Sequence, residues 1–356
     1  MTATSSSWMK PSRPDAKPLS SHALSTGGVK SATAIALLVV LVAAAAVCSL
    51  MFGVRSITAS DALGALTGST STAAEAAAAV RIPRTALAMS VGAALAAAGT
   101  TLQAVTRNPL ADPGIFGILA GAALAVSVSM AFTGMSRPAP TMAVAIVGAF
   151  AAAAFVYAVG SLGRGGATPL KLALSGAATA AALSSLTNAV ILPREDVMDR
   201  FRFWQIGSVG GAEWSTLAAA VPLLVTGAVI VWLSASGLNA LALGDEAAAG
   251  LGVPVGRTRL LAVVGAVILC GTAVAVAGPI GFIGLIVPHT LRLLLGTDHK
   301  LLIPASFLGG AVILTAADTL GRVVGRPSEI AVGIITPLLG VPLFIWLARR
   351  AKGGGL

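Results

Sequence analysis

The chain has few charged and few aromatic side chains. Only 10% of its 356 residues are Asp, Glu, Lys or Arg, and 4% are Phe, Trp or Tyr. Soluble domains carry about 25% charged residues, so this composition excludes an ordinary soluble protein. Hydrophobic residues make up 56% of the chain, and the mean hydropathy is +0.92. The sequence therefore indicates a membrane protein with many spans.

Motifs for covalent and nucleotide chemistry are also missing. Cys48 and Cys270 both lie in apolar runs without a CxxC pattern, so we interpret them as packing residues. No GxxxxGK[ST] motif occurs, so the chain has no phosphate-binding loop of its own. No catalytic triad or carboxylate pair stands out, and no predicted span has an acidic residue near its centre. This disfavours an intramembrane enzyme and a proton-coupled carrier.

The remaining ionisable residues suggest little further chemistry. His289, Asp298 and His299 are close in sequence and could be imagined as metal ligands or a proton relay. Their spacing matches no metal motif, and a loop-facing role is favoured. The formal charge of +10 is scattered over the ends of spans. It indicates membrane topology and anionic lipid headgroups, not nucleic acid.

The apolar runs predict an all-α polytopic protein with about ten transmembrane helices. They are continuous and rich in Ala and Leu, unlike the ~10-residue alternating strands of a barrel. A helix needs about 20 apolar residues to cross the hydrocarbon core. The predicted spans are 32–53, 84–106, 115–134, 139–162, 169–192, 215–236, 259–278, 281–296, 301–322 and 329–348.

The two ends of the chain predict its orientation. Residues 1–31 are polar and rich in Ser and Pro, which is typical of a disordered tail, and a signal peptide is not favoured. Residues 351–356 form a short C-terminal tail after the predicted transmembrane region 32–350. Both ends are basic, so both termini are predicted to be cytoplasmic, which requires an even number of spans.

Three connections differ from simple loops. Residues 193–214, on the predicted outside, are amphipathic enough for a short surface helix. Residues 239–259, on the inside, favour short helices separated by glycines and a proline, and this helix pair invites a partner. Residues 278–300 contain a span interrupted by Gly and Pro, which is typical of helices that line a pathway, although a packed kink is an equal alternative.

Mildly polar residues lie at mid-depth in two spans. Ser184 and Asn188 are four residues apart and share a helix face. Hydrogen bonding between helices is the commoner role of such residues, and pore lining is the alternative. The set comprises Gln103, Thr106, Ser175, Ser184, Ser185 and Asn188.

The sequence resembles the FecCD-type permeases, the membrane subunits of type II ABC importers for iron-siderophores, haem and cobalamin. The resemblance covers about residues 35–350 and depends on motifs that occur in order. They are RIPRT at Arg81, TRNPLADPGIFG at Thr106, WQIGSVGGAEW at Trp204, LALGDEAAAGLGV at Leu241, GPIGFIGLIVPHTLRLLLGTDHK at Gly278, AADTLGR at Ala316, SEIAVG at Ser328 and TPLLGVPLFIWL at Thr336.

The resemblance implies a transport subunit of the bacterial plasma membrane without its own ATPase motif. It implies a second permease subunit, in a homodimer or a related heterodimer, two ATPase subunits that bind ATP-Mg, and an extracytoplasmic substrate-binding protein. No cofactor is expected in this chain. A ferric siderophore is the expected substrate; cobalamin or haem is the alternative, and an ion-coupled secondary carrier is less favoured.

The resemblance also implies functional residues. It assigns arginines at the outer helix ends to binding-protein docking, a cytoplasmic segment to ATPase coupling, and two segments to a cytoplasmic gate. It makes the fifth and tenth spans the main lining of the pathway. The residues are Arg81, Arg84 and Arg322 for docking; Gly244, Asp245, Glu246, Ala249 and Gly252 for coupling; Asn108, Pro109, Leu110 and Thr168 for the gate; and Ser175, Ser184 and Asn188 for the pathway.

Overall fold

A computed structural model describes residues 21–54, 57–134, 138–163 and 166–353. Throughout these residues the fold is helical, with a short 3-10 helix at Pro113–Phe116 and no strand. The helices are α1 Ser21–Met51, α2 Ala59–Leu66, α3 Ala73–Thr106, α4 Ile118–Thr133, α5 Pro138–Ser161, α6 Pro169–Ile191, α7 Glu195–Ile206, α8 Trp214–Ala242, α9 Asp245–Gly250, α10 Val255–Ala277, α11 Ile283–Leu295, α12 His299–Val324 and α13 Val332–Gly353.

The apolar helices correspond to the predicted spans. Seven described helices are long and apolar enough to cross a membrane, namely those at α1, α3, α5, α6, α8, α10 and α12. Three shorter apolar helices lie at Ile118–Thr133, Ile283–Leu295 and Val332–Leu343. Together they match the ten predicted spans one for one. In the predicted orientation α3 runs inward, so its first residues lie at the outer end of the molecule and Thr106 at the inner end.

Several helices begin earlier than predicted. The helix α1 starts at Ser21, although the sequence predicted a disordered tail to residue 31; residues 1–20 lie outside the described part. Once a helix is nucleated, each added residue gains a hydrogen bond, which favours this extension. The helix α3 starts at Ala73, eleven residues before the predicted span. Its start is fixed by a capping box in which Thr72 and Glu75 satisfy each other's backbone amides.

The core forms around α3, α10 and α12. In the most apolar 18-residue stretch of each helix, 78% of the residues are buried in α3 and in α10, and 61% in α12. The share is 22% in α6 and in α8. Close approach of α3 and α12 depends on Gly92 and Gly310, because a Cβ on either residue would overlap the carbonyl oxygen of the other. Small residues of this kind let membrane helices pack backbone to backbone.

The three unusual connections are only partly as predicted. The outer surface helix is confirmed as α7, which buries Val197 and Phe201. The predicted interruption within the eighth span is wrong: α11 runs from Ile283 to Leu295 as one helix with Pro288 inside it, and the non-helical residues after Ala277 join two separate spans. The predicted pair of inner helices is wrong: α8 continues to Ala242, and α9 is the one short helix before α10.

Candidate functional site

Three predicted docking arginines lie together at the outer end, but they are buried. Arg81 and Arg84 are each 8% exposed and Arg322 is 1% exposed. These side chains are therefore not presented at the surface of the chain, and their docking role stays a prediction. Their guanidinium donors are directed into the chain itself.

Arg81 and Arg322 cap the outer end of α1. The last carbonyls of a helix have no partners within it, and they carry the negative end of its dipole. Arg81 Nη1 donates to the carbonyl of Leu50 at 2.9 Å, and Arg322 Nη1 donates to that of Ser49 at 2.9 Å and of Phe52 at 3.1 Å. The two arginines thus attach the end of α1 to α3 and α12.

Arg84 makes a buried ion pair with Asp318. Its Nε and Nη2 donate to the carboxylate at 3.0 and 2.8 Å, and the Asp318 side chain is 1% exposed. Arg322 Nε lies 3.1 Å from the same carboxylate. Arg84 Nη1 donates to Glu329 at 2.6 Å, and this second carboxylate is 41% exposed.

Asp318 and Glu329 were missed as site residues, although both lie within quoted motifs. The four-residue spacing of Asp318 and Arg322 predicts the contact between these two side chains on one helix face. The contact of Glu329 joins Arg84 across 245 positions of sequence and has no local signal.

The arginine cluster at the outer end has an excess of positive charge over the two carboxylates within it. Arg326 is exposed, and its Nε donates to the carbonyl of Gly53 at 2.9 Å. Together with the three buried arginines it makes four positive charges beside the negative charges of Asp318 and Glu329, a local excess of two, while α2, α7 and the start of α3 carry further carboxylates at the same end. An acidic group close to this cluster would be attracted to it even though most of the guanidinium donors are occupied.

At the inner end, the predicted gate residues form two separate turns. Arg107 caps α3 in the left-handed conformation with φ 50°, and Asn108 Oδ1 then accepts from the Leu110 amide at 2.9 Å. Leu110 follows Pro109 and is 54% exposed. In the other segment, Thr168 caps α6 by accepting from the Lys171 amide. Both turns place their residues at the inner surface.

The predicted coupling residues divide into two groups. Gly244, with φ 112°, precedes α9, and Gly252, with φ 79°, follows it, so both allow turns that other residues disfavour. Glu246 and Ala249 are exposed. Asp245 instead accepts hydrogen bonds from two arginines of the same chain. Its side chain is still 41% exposed, and its assignment as an ATPase contact stays a prediction.

The predicted pathway residues also divide. Ser184 and Asn188 are exposed on α6, but Ser175 is half-buried and donates to the carbonyls of Val156 and Leu172 at 3.2 Å. Nine residues separate Ser175 from Ser184, which is two and a half turns, so the two side chains lie on opposite sides of the helix. Ser175 is therefore not on the exposed face.

The exposed face of α6 consists mainly of small side chains. In a membrane helix, small residues favour close contact with another helix. The exposed positions include Ala177, Ala178, Ala181, Ala182, Ser185 and Asn188.

The histidines near α11 and α12 do not form a metal site. His299 is 6% exposed, and its Nδ1 lies 2.8 Å from Asn239 Oδ1. Asn239 Nδ2 donates to Asp298 at 2.6 Å, and this hydrogen bond lowers the pKa of Asp298. Within residues 21–54, 57–134, 138–163 and 166–353, no group of three or more His, Cys, Asp or Glu residues could hold a metal ion. The cluster attaches α8 to the start of α12.

Ten apolar helices among the described residues, with charged networks at both ends, define a multi-pass membrane protein. Residues 37–350 match the FecCD transport family, and the chain belongs to this family. It is 40% identical over 335 residues to the ferric enterobactin transport system permease protein FepD of Escherichia coli K12, covering 93% of this chain and 99% of the relative. It is 42% identical over 278 residues to the hemin transport system permease protein HmuU of Yersinia pestis, covering 77% and 83%.

A solved structure shows the same architecture. It is an inward-facing conformation of a metal-chelate type ABC transporter, with a TM-score of 0.79 and 29% identity, covering 90% of this chain and 99% of that one. The protein is therefore an ABC importer permease and a multi-pass protein of the bacterial inner membrane. Such permeases work as dimers with ATPase subunits and binding proteins.

Proposed function

We propose that this chain carries a ferric siderophore across the membrane, receiving it from a substrate-binding protein and using ATP hydrolysed by a separate subunit. The observation that carries the proposal is the 40% identity with a ferric enterobactin permease over 99% of that protein. The chain itself has no phosphate-binding motif in its 356 residues. ATP and Mg²⁺ are therefore bound by the partner ATPase.

The exposed small-residue face of α6 supports a second permease subunit, either another copy or a related chain. Ser184 and Asn188, both exposed on α6, would meet the pathway between the two subunits, where mild polarity lets a large chelate pass without being held. The turns at Asn108–Leu110 and Thr168 would close the pathway at the inner end. Ligand and ATP then act by shifting the populations of inward-open and outward-open states.

The docking role of Arg81, Arg84 and Arg322 stays a proposal, in a modified form. Because their donors are occupied within the chain, they would attract an acidic group of the binding protein mainly through the local excess of positive charge in their cluster. Reversing all three charges would also remove the caps of α1, so it would not isolate docking. Arg326→Gln removes an exposed charge and keeps a donor. We expect weaker binding of the binding protein to Arg326→Gln at low salt and equal binding at high salt.

Haem or cobalamin transport is the alternative within the same architecture, since relatives include hemin and cobalamin permeases. Proteoliposomes with the permease, the ATPase and the binding protein would test the three substrates in parallel. We expect ATP-dependent uptake of a radiolabelled ferric siderophore and little uptake of haem or cobalamin. Preferential uptake of either alternative would overturn the siderophore assignment. Uptake by the chain alone under an ion gradient, without ATP, would instead identify a secondary carrier.

A further inference from the structure

One carboxylate at the inner end holds two arginines from different helices. Asp245 Oδ1 accepts from Nη2 of Arg107, at the end of α3. Nη2 of Arg259, in the first turns of α10, lies 3.1 and 3.2 Å from the two Asp245 oxygens. A carboxylate has two oxygens with about four lone-pair sites, so it can serve both guanidinium groups at once.

Each arginine also adjoins or contacts one of the two gate turns. Arg107 donates through Nε to the carbonyl of Leu241 at 2.9 Å and is followed directly by Asn108. Arg259 donates through Nη1 to the carbonyl of Ala167 at 2.6 Å, and the next residue in sequence is Thr168. Asp245 is thus connected to each gate turn through one arginine. Arg107 directly precedes Asn108, and Arg259 binds the residue that precedes Thr168.

The electrostatics explain why an acid is needed here. The Arg259 side chain is 5% exposed, and a buried charge is costly unless it is paired. Burial raises the pKa of Asp245, but the hydrogen bonds and charges of Arg259 and Arg107 outweigh it, so the pKa lies below its ordinary value. The carboxylate therefore stays ionised at neutral pH and keeps both arginines in place.

The helix α9 depends on such contacts for its position. It has only six residues, from Asp245 to Gly250, and isolated helices of this length are unstable. Its other attachment is Ala248, which is fully buried, while Leu251 just after the helix is 67% exposed. One side of the segment thus faces the permease through Asp245, and the other side is open to a partner.

We propose that Asp245 is a positioning residue that transmits movement of α9 to both gate turns, rather than a residue that contacts the ATPase. The inference rests on the proposed function, because it takes α9 as the element that the ATPase moves. The exposed residues Glu246 and Ala249 make the partner contact, and Asp245 passes the displacement through Arg107 to Asn108 and through Arg259 to the turn at Thr168.

The main test is Asp245→Asn in the reconstituted complex. Asparagine has nearly the same shape but lacks the charge and has fewer acceptor sites. We expect assembly with the ATPase and ATP turnover to persist, while substrate transported per ATP falls about tenfold, within the usual range of coupling between sites. Asp245→Glu, which keeps the charge, should recover part of the ratio. Arg257→Gln is the matched control, since Arg257 is exposed at the same helix end and lies two residues from Arg259.

A second measurement uses the permease alone. Spin labels on Leu110 and Leu251, both exposed, report the distance between the gate turn and the end of α9 within one chain. We expect a narrow distribution in the otherwise native chain and a broad one in Asp245→Asn. Arg107→Gln, which leaves the buried Arg259 paired, should also broaden it. This variant keeps the test decisive even where Asp245→Asn folds poorly.

The outcomes separate the proposals. An unchanged transport ratio in Asp245→Asn, or an unchanged distance distribution in both variants, would overturn the positioning role. Loss of ATPase binding in Asp245→Asn, with an unchanged distribution, would show that Asp245 is a partner contact after all. If the native complex fails to carry ferric siderophores but the distributions broaden as expected, the proposed substrate fails while the link between α9 and the gate stands.

Discussion

Removing the carboxylate of Asp318 should destabilise the permease far more than removing the guanidinium of Arg84. Asp318 is 1% exposed and lies between Arg84 and Arg322. In Asp318→Asn, Arg322 loses its ion pair while it remains buried, and Arg84 keeps only the half-exposed Glu329. Breaking a buried pair from one side typically costs about 3–5 kcal/mol. In Arg84→Met, Asp318 still has Arg322, so the loss should be clearly smaller.

Thermal unfolding in detergent can measure this difference. For 356 residues and an unfolding entropy of about 2.1 cal/mol/K per residue, 3–5 kcal/mol corresponds to a decrease in Tm of roughly 4–7 °C. Cys270 is fully buried, so a thiol-reactive fluorescent dye reports its exposure on unfolding. Cys48 is exposed and is replaced by Ala in every variant.

A surface pair provides the control. Arg202 lies 3.7 Å from Asp199 on α7, and both side chains are more than 60% exposed. Pairs of this kind contribute little to stability, so Arg202→Gln should leave the Tm unchanged. The reasoning would be refuted if Arg84→Met lowered the Tm as much as Asp318→Asn, or if Asp318→Asn behaved like Arg202→Gln.

Three further predictions concern the core, the inner carboxylate and the pathway. Gly92→Ala should lower the free energy of unfolding by about 1–3 kcal/mol or more, measured with the same dye, because the new Cβ would overlap the carbonyl oxygen of Gly310. The lowered pKa of Asp245 means that its stabilising contribution is complete above the ordinary aspartate pKa of about 3.9 and is lost as the pH falls through the lower folded value. The spin-label distribution should therefore be constant from pH 8 to about pH 5 and broaden only in stronger acid; broadening near pH 6 would contradict this. In the assembled complex, a thiol reagent should modify Asn188→Cys from the aqueous pathway but not Ser175→Cys, and equal labelling would contradict the opposite orientations of these two positions.

Much of the fold follows directly from local sequence. A charge-free run such as Thr85–Val105 must be helical in lipid, because every backbone polar group needs a partner within the segment. The break after Ala277 is also local, since Gly278 takes φ 72° and is followed by a proline. The start of α3 was missed because Thr72 and Glu75 form a capping box well before the apolar run begins.

The candidate site was less predictable because its contacts are distant in sequence. The cap that Arg322 gives to Ser49 spans 273 positions, and the bond of Arg107 to Asp245 spans 138. Motif likeness singled out Arg322 but not Arg107, and it did not indicate which groups either residue binds. The orientation of Ser175 was accessible in principle, because helical geometry alone places it opposite Ser184.

The two charged networks lie at opposite ends of the same helix. Arg84 joins α3 to α12 near the outer end, and Arg107 joins it to α9 at the inner end. Between them α3 is largely buried, with Gly92 in backbone contact with α12. Sliding this helix would break both networks and separate closely packed backbones, which interiors of this density resist. We therefore expect α3 to keep its position in a transport cycle, while displacement of α9 reaches the turn that follows α3 through the contact of Asp245 with Arg107.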